Sequence, residues 1–289
     1  MTELEEYLLC RYRYYQARVL KSAPVEDPDD DIAPHEAGSV VHEILRDFYR
    51  QAGKEGLKDS ASALEALRKI AENSFNKLPK TFANSELKHR FIEKVVPMFI
   101  ETEAALSDGS FHVTKTEEGV EVEIEDAEAG TITLTGKIDR IEMDADGNFI
   151  VADYKTGKYP GKGKPLSEQF QLPLYAYMLK DKEGAKRPAG FVYYNLRDGR
   201  MRDVVCYDKE LLPGSAKGKR GKSHEEIEAL VEKCVSEAIA ASKGIIAGDF
   251  TPNCEDAFVC RSCSYIEVCR KGESKAEDEG VENEEDETR

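Results

Sequence analysis

The segment Gly136 to Gly157, GKIDRIEMDADGNFIVADYKTG, concentrates residues able to do chemistry. Asp153 and Lys155 stand two apart in an apolar strand, so their side chains share one face. Ala145, Asp146 and Gly147 suit a three-residue hairpin loop ending in a left-handed Gly. In that register Asp144 faces Asn148 and Asp139 lies directly opposite Asp153. Opposed residues on one sheet face have Cβ atoms roughly 5 Å apart, close enough for two carboxylates to share a hard divalent cation, Mg2+ or Mn2+. Lys155 can then orient, or help deprotonate, a water for hydrolysis. The apolar phase slips between Ile138 and Ile141, which predicts a bulge beside the site. The competing reading is an exposed hairpin carrying ordinary surface charges. Against it stands the apolar run Phe149 to Ala152, which marks a buried strand where charge without a partner is costly.

The elements that must position this hairpin are read from periodicity. Helical spacing runs through Leu4, Tyr7, Leu8 and Tyr15, with Cys10 inside the same predicted helix, residues 3 to 20. Val41, Ile44, Leu45 and Phe48 repeat it over Gly38 to Arg50, and further helices are predicted at about 60–77 and 84–106. Strands are predicted at Phe111 to Glu125, Gly130 to Met143, Phe149 to Lys155, Gly190 to Leu196 and Arg202 to Tyr207. Helices at Ser167 to Lys180 and His224 to Ala247 complete the pattern, with a Gly- and Lys-rich loop from Lys209 to Ser223. Strands flanked by helices predict an α/β fold with a mixed central sheet. The expected organisation is a single domain over 1–272: a helical insertion about 39–107, a catalytic core about 110–208, and a C-terminal helix with a cysteine cluster at 224–272. The acid-rich tail 273–289 has no aromatic residue and is expected to be disordered.

The chain has 41 Lys and Arg against 57 Asp and Glu, a formal charge of −16. That excess at first argues against a nucleic-acid partner. Much of it is local, however: Glu273 to Arg289 carries −7 and Glu26 to Asp31 adds five acids, leaving −4 elsewhere. No run of eighteen apolar residues and no signal-peptide pattern occurs, so a cytoplasmic protein without membrane contact is expected.

Four of seven cysteines crowd one end as C-x5-C-x2-C-x5-C, at Cys254, Cys260, Cys263 and Cys269. Such clustering reads as metal ligation, and four thiolates suit either an iron–sulfur cluster or a structural zinc. The C-terminal four make a self-contained zinc set, although zinc sites usually use paired C-x2-C units. Cys234 shares an apolar helix face with Ile227, Leu230 and Val231, and Cys206 lies in a strand. Both are expected in the core.

Gly136-x-x-Asp139-Arg140 followed by Asp153-Tyr154-Lys155-Thr156-Gly157 resembles motifs II and III of RecB-like PD-(D/E)XK nucleases. Gly38-x-x-x-His42 resembles the first motif of that family, which implies His42 as an additional metal ligand. By residue type alone a lone His at the edge of an apolar helix face is more often a satisfied core residue than a ligand. Gln171-x-x-x-Tyr175 resembles the last motif, implied to arrange the active site and DNA; by spacing alone it is also an ordinary helix boundary. The resemblance further implies that the Tyr154 carbonyl reaches the metal, and that Glu123 or Glu121 matches an acid upstream of motif II.

In AddB-type and CRISPR-associated exonuclease members, one N-terminal Cys and a C-terminal C-x2-C-x5-C hold a 4Fe-4S cluster. The corresponding residues here are Cys10, Cys260, Cys263 and Cys269, with Arg11 departing from the usual Pro. The resemblance implies a restriction-endonuclease-like core and Mg2+- or Mn2+-dependent hydrolysis of DNA, as an exonuclease or end-processing enzyme preferring single strands. It places that activity in repair or recombination, beside a helicase or as part of a recombination or CRISPR complex. The rival class is a noncatalytic DNA-binding or assembly module; an iron–sulfur electron carrier leaves the aligned carboxylates unexplained.

Ala216 to Ser223, AKGKRGKS, imitates a phosphate-binding loop but lacks the flanking buried strands that motif needs. Lys217, Lys219, Arg220 and Lys222 are read as contacts to DNA phosphates or as a solvated loop. Lys158, Lys162 and Lys164 extend the same track.

Overall fold

The computed structural model describes residues 2–22, 34–52, 59–106, 110–157, 170–180, 182, 184–197, 201–211, 221–269 and 271. They fall into two compact units: Met1–Asp27 with Ile124–Ile132 and Ser236–Arg289, and Pro28–Glu123 with Thr133–Val235.

The first predicted helix is broken. α1 (Thr2–Leu9) stops at Cys10, whose extended backbone (φ −163°, ψ 112°) leads into α2 (Arg11–Tyr14) and a π turn at Tyr15–Val19. The break has a tertiary cause, because the Arg11 N–H donates to Asn253 Oδ1 at 2.9 Å instead of continuing the helix ladder. Periodicity alone carries no sign of that competing acceptor.

In the second unit α3 (Pro34–Ala52) and α4 (Ser60–Phe75) follow the apolar spacing, and Asp59 caps α4 by accepting the Ala61 N–H. The stretch predicted as one helix at 84–106 is instead α5 (Phe82–Arg90), a π turn at Phe91–Val95 and α6 (Val96–Leu106). Pro97 has no N–H for the Glu93 carbonyl, which accounts for a wider turn just before it. Ile44, Leu45, Phe48, Leu67 and Phe99 are fully buried among these helices. They pack with Ile150, Ala152, Val192 and Tyr194 of the sheet in one core.

The sheet has six strands in the order β1 (His112–Asp126), β2 (Gly130–Met143), β3 (Asn148–Lys155), β4 (Arg187–Asn195), β5 (Arg202–Asp208), β6 (Gly221–Lys222). β2 and β3 are antiparallel, β3 and β4 parallel with α7 (Gln171–Leu179) between them in sequence, β4 and β5 antiparallel, β5 and β6 parallel. This is the mixed helix-flanked sheet the sequence predicts. β6 falls in the segment read as a loop, since two residues are too few to show a period. α8 (His224–Ile246) and the short α9 (Ala257–Arg261) complete the described helices. No helix among the described residues is long and apolar enough to cross a membrane.

Candidate metal and catalytic site

The hairpin turn is built as its sequence dictates. Asp144 Oδ1 accepts the N–H groups of Asp146 and Asn148 at 2.9 and 2.8 Å, and the Asp144 N–H donates to the Asn148 carbonyl at 3.0 Å. Gly147 has φ +88°, and a Cβ there would fall on the Gly184 carbonyl, so only glycine fits. The register then runs Met143 opposite Phe149, Glu142 opposite Ile150, Ile141 opposite Val151 and Arg140 opposite Ala152. Asp139 and Asp153 occupy the next positions. No bulge interrupts the described pairs of this ladder, contrary to the slip in apolar phase. The slip has another origin: from Ile138 to Glu142 both faces of β2 are buried, and Arg140 and Glu142 lie inside alongside Ile138 and Ile141.

Asp139 divides its carboxylate between two tasks. Oδ2 accepts the Tyr154 N–H at 2.8 Å, while Oδ1 lies 3.3 Å from His42 Nδ1. Glu117 Oε1 is 3.4 Å from the same nitrogen, and His42 Nε2 is 3.1 Å from the Tyr154 carbonyl oxygen. One ligand atom each from His42, Glu117 and Asp139 gathers within 4.8 Å. Helix α3 brings His42 this close because it passes β3 at a glycine, where a Cβ on Gly38 would meet Thr156 Oγ1 at 3.2 Å.

Charge is concentrated here. Burial disfavours the imidazolium of His42, but hydrogen bonds and charge from Asp139 and Glu117 outweigh it and raise its pKa to about 10. Burial works against the Glu117 carboxylate too, yet His42 and Lys137 hold its pKa down at about 2. The His42 proton and Lys137 thus balance the two carboxylates. The two carboxylates and the backbone carbonyl are hard oxygen donors suited to a divalent cation, and the imidazole adds one softer nitrogen donor.

Glu117 was not among the sequence candidates. Glu121 and Glu123, named for the upstream acid, are exposed on β1. Glu117 reaches the site from a left-handed backbone, φ +55°, a conformation uncommon for residues other than glycine and one found disproportionately at functional sites. The only sequence signal is Gly119, two residues on, which marks an irregularity in the strand.

Asp153 does not join the three converging donors. Its Oδ2 lies 2.7 Å from Lys155 Nζ, and burial, reinforced by the charge of Asp139, pushes its carboxyl up to about 7. Lys155 Nζ also donates to Gln171 Oε1 at 3.1 Å, and Gln171 Nε2 donates to the Tyr175 hydroxyl at 3.1 Å. Burial pushes that phenol up to about 12. The four residues thus form a continuous chain, Asp153 to Lys155 to Gln171 to Tyr175. The spacing of Gln171 and Tyr175, one helical turn apart, allows them to meet.

A model of the PD-(D/E)XK nuclease superfamily matches residues 1–270. The chain belongs to that superfamily. It is similar to a subunit of the ATP-dependent helicase/deoxyribonuclease of Carboxydothermus hydrogenoformans, 22% identical over 343 residues, which covers 95% of this chain and 31% of that protein. The like-named subunit from Clostridium novyi is 25% identical over 281 residues, covering 86% of this chain and 22% of that protein. This PD-(D/E)XK chain therefore spans less than a third of either relative. The crystal structure of SSO0001 is 18% identical, covering 70% of this chain and 79% of its own, with a TM-score of 0.30.

Away from the carboxylates, Cys10, Cys254, Cys260, Cys263 and Cys269 of this PD-(D/E)XK chain line one small cavity. Cys10 stands in the break between α1 and α2, not within a helix. Among the described residues no three of these sulfurs lie within 4.8 Å of one another. Cys206 and Cys234 are buried at 1% and 0% exposure, as expected of core thiols. Lys222 pairs with Glu226 at 3.1 Å. Lys217, Lys219 and Arg220, Lys158, Lys162 and Lys164, and the tail 273–289 lie outside the described residues.

Proposed function

We propose that this PD-(D/E)XK chain is a Mg2+- or Mn2+-dependent deoxyribonuclease that hydrolyses phosphodiester bonds of single strands or DNA ends in repair or recombination. The observation that carries this reading is the convergence of His42, Glu117 and Asp139 beside the Tyr154 carbonyl, next to a lysine held by Asp153, Gln171 and Tyr175. His42, Glu117, Asp139 and the Tyr154 carbonyl hold the cation, with the Asp153 carboxylate adjacent. When bound, the cation supplies a Lewis acid for phosphodiester hydrolysis.

The protein groups do the positioning. Tyr154 fixes Asp139 through its N–H, leaving one carboxylate oxygen for the site. Lys155, as an ammonium held between Asp153 and Gln171, donates to the attacking water or to a phosphoryl oxygen and restrains its approach. Gln171 aims Lys155, and Tyr175 aims Gln171. The relatives' name supports a helicase partner supplied by another part of a longer protein or by another chain.

We further propose a structural 4Fe-4S cluster on Cys10, Cys260, Cys263 and Cys269. What supports this reading is that these four thiols, Cys10 far in sequence from the other three, line one small cavity and that four thiolates suit such a cluster.

The test incubates the anaerobically purified chain with end-labelled single- and double-stranded DNA, with and without Mn2+. Cation-dependent cleavage lost in Asp153→Asn and Lys155→Ala, with DNA binding retained, is the expected result. Undiminished cleavage by either variant overturns the reading.

A further inference from the structure

Behind the face that carries Asp139, β2 turns Arg140 and Glu142 into the protein, where they are 3% and 4% exposed. Glu103 of α6, 3% exposed, accepts three hydrogen bonds: from Tyr49 Oη at 2.5 Å, Arg140 Nη2 at 2.9 Å and Tyr194 Oη at 2.9 Å. Arg140 Nη1 donates to Tyr49 Oη at 2.6 Å, and Arg140 Nε lies 2.9 Å from Glu142 Oε1. Arg202 Nη2 donates to Glu142 at 3.1 Å. The Arg140 guanidinium also stands over the rings of Tyr49 and Tyr194, at 5.1 and 4.7 Å. Two carboxylates and two guanidiniums leave the network neutral, which suits complete burial.

The placement of the ends of this network matters more than its stability. Tyr49 lies on α3 seven residues after His42, about two turns along the same helix face. Arg140 is the residue after Asp139. Glu103 and Tyr49 therefore join the helix that supplies the imidazole to the strand that supplies the carboxylate, by directional bonds between buried side chains. Apolar contacts alone would let α3 slide or rotate by fractions of an ångström, whereas cation ligands must be held to a few tenths.

We infer that Glu103, through Tyr49 and Arg140, is a positioning residue for the cation site, setting the distance between His42 and Asp139. This rests on the reading of that site given above. Neither Glu103 nor Tyr49 touches the reacting atoms. Their effect is on cation affinity.

The experiment measures Mn2+ binding by calorimetry, together with melting temperature, for the whole chain and for His42→Ala, Tyr49→Phe, Glu103→Gln and Phe75→Leu. Phe75→Leu destabilises the same apolar core without touching the network. The expected result is that Tyr49→Phe and Glu103→Gln weaken Mn2+ binding by about 10-fold or more, while Phe75→Leu, with a comparable fall in melting temperature, binds Mn2+ as the parent does. Tyr49→Phe removes one hydroxyl and keeps the ring, so it decides the matter even if Glu103→Gln fails to fold. Unchanged Mn2+ affinity in Tyr49→Phe, or an equal loss in Phe75→Leu, overturns the inference. Absence of any Mn2+ binding sensitive to His42→Ala overturns instead the cation site on which it rests.

Discussion

The Tyr154 N–H donates to Asp139 Oδ2 at 2.8 Å while the Tyr154 carbonyl faces His42 Nε2 at 3.1 Å. One residue, between Asp153 and Lys155, thus locates two members of the site through its backbone alone. Its side chain secures it from the other side, buried with its ring 5.7 Å from that of Tyr194.

This arrangement separates the catalytic and structural roles of Asp139. Asp139→Asn keeps an oxygen able to accept the Tyr154 N–H but loses the charge. Asp139→Ala leaves that buried donor unpaired, at about 1–3 kcal/mol. Both variants are expected to lose cleavage, and urea unfolding should find Asp139→Ala less stable than Asp139→Asn by that amount. Equal stability of the two would mean that the N–H finds water or another acceptor.

Glu117 is expected to matter where Glu121 and Glu123 do not. Glu117→Gln removes one charged oxygen from the three-donor group, so the Mn2+ concentration needed for half-maximal cleavage should rise by about 10-fold or more. Glu121→Gln and Glu123→Gln, on exposed positions of β1, should leave it unchanged. A titration of cleavage against Mn2+ for the three variants is the check, and a large effect at Glu123 would move the upstream ligand back along the strand.

Gln171 offers a separate test of the lysine chain. Gln171→Ala removes the acceptor 3.1 Å from Lys155 Nζ while the Asp153 carboxylate still holds the ammonium from the other side. Turnover should fall by about 10- to 100-fold from lost orientation, with DNA affinity unchanged, since neither the cation donors nor the surface charge is altered. Single-turnover rates beside binding isotherms measure both. A loss confined to DNA affinity would place Gln171 on the nucleic acid instead.

Residues 136–157 were legible in the sequence because turn chemistry fixes a hairpin register, and register fixes which side chains oppose one another. Asp144, Asn148 and Gly147 were enough to place Asp139 beside Asp153. Lys155 followed from strand alternation, whereas Gln171 and Tyr175 came from the resemblance to the last family motif, since their spacing of one helical turn is also that of an ordinary helix boundary. What stayed hidden depends on contacts between distant segments. The Glu103, Arg140 and Tyr194 network joins residues far apart in sequence, and its buried charges disguised themselves as a bulge in β2. Glu117 needed a left-handed backbone that no strand pattern anticipates. The break at Cys10 needed an acceptor on Asn253.

The last prediction concerns the cysteines, where the cluster and zinc readings differ in which thiol matters. The N-terminal segment is already tied to the C-terminal end by protein contacts: Arg11 pairs with Asp249, Tyr7 Oη donates to the Asp249 carbonyl at 2.8 Å, Tyr12 Oη to the Val268 carbonyl at 2.9 Å, and Tyr265 Oη to the Ser22 carbonyl at 2.7 Å. Cys10→Ala should therefore leave this unit folded while removing a cluster ligand. Expected results are loss of brown absorbance, reduced iron and sulfide, and a lower melting temperature, because metal binding contributes to folding. Cys254 lines the same cavity but adds a fifth thiol to a four-ligand set, so Cys254→Ala should keep its iron. Zinc held by the C-terminal four reverses the order, making Cys254 essential and Cys10→Ala a mild truncation. Iron, sulfide and zinc content with melting curves for the two variants decides between them: a colourless, zinc-loaded chain insensitive to Cys10→Ala would overturn the cluster.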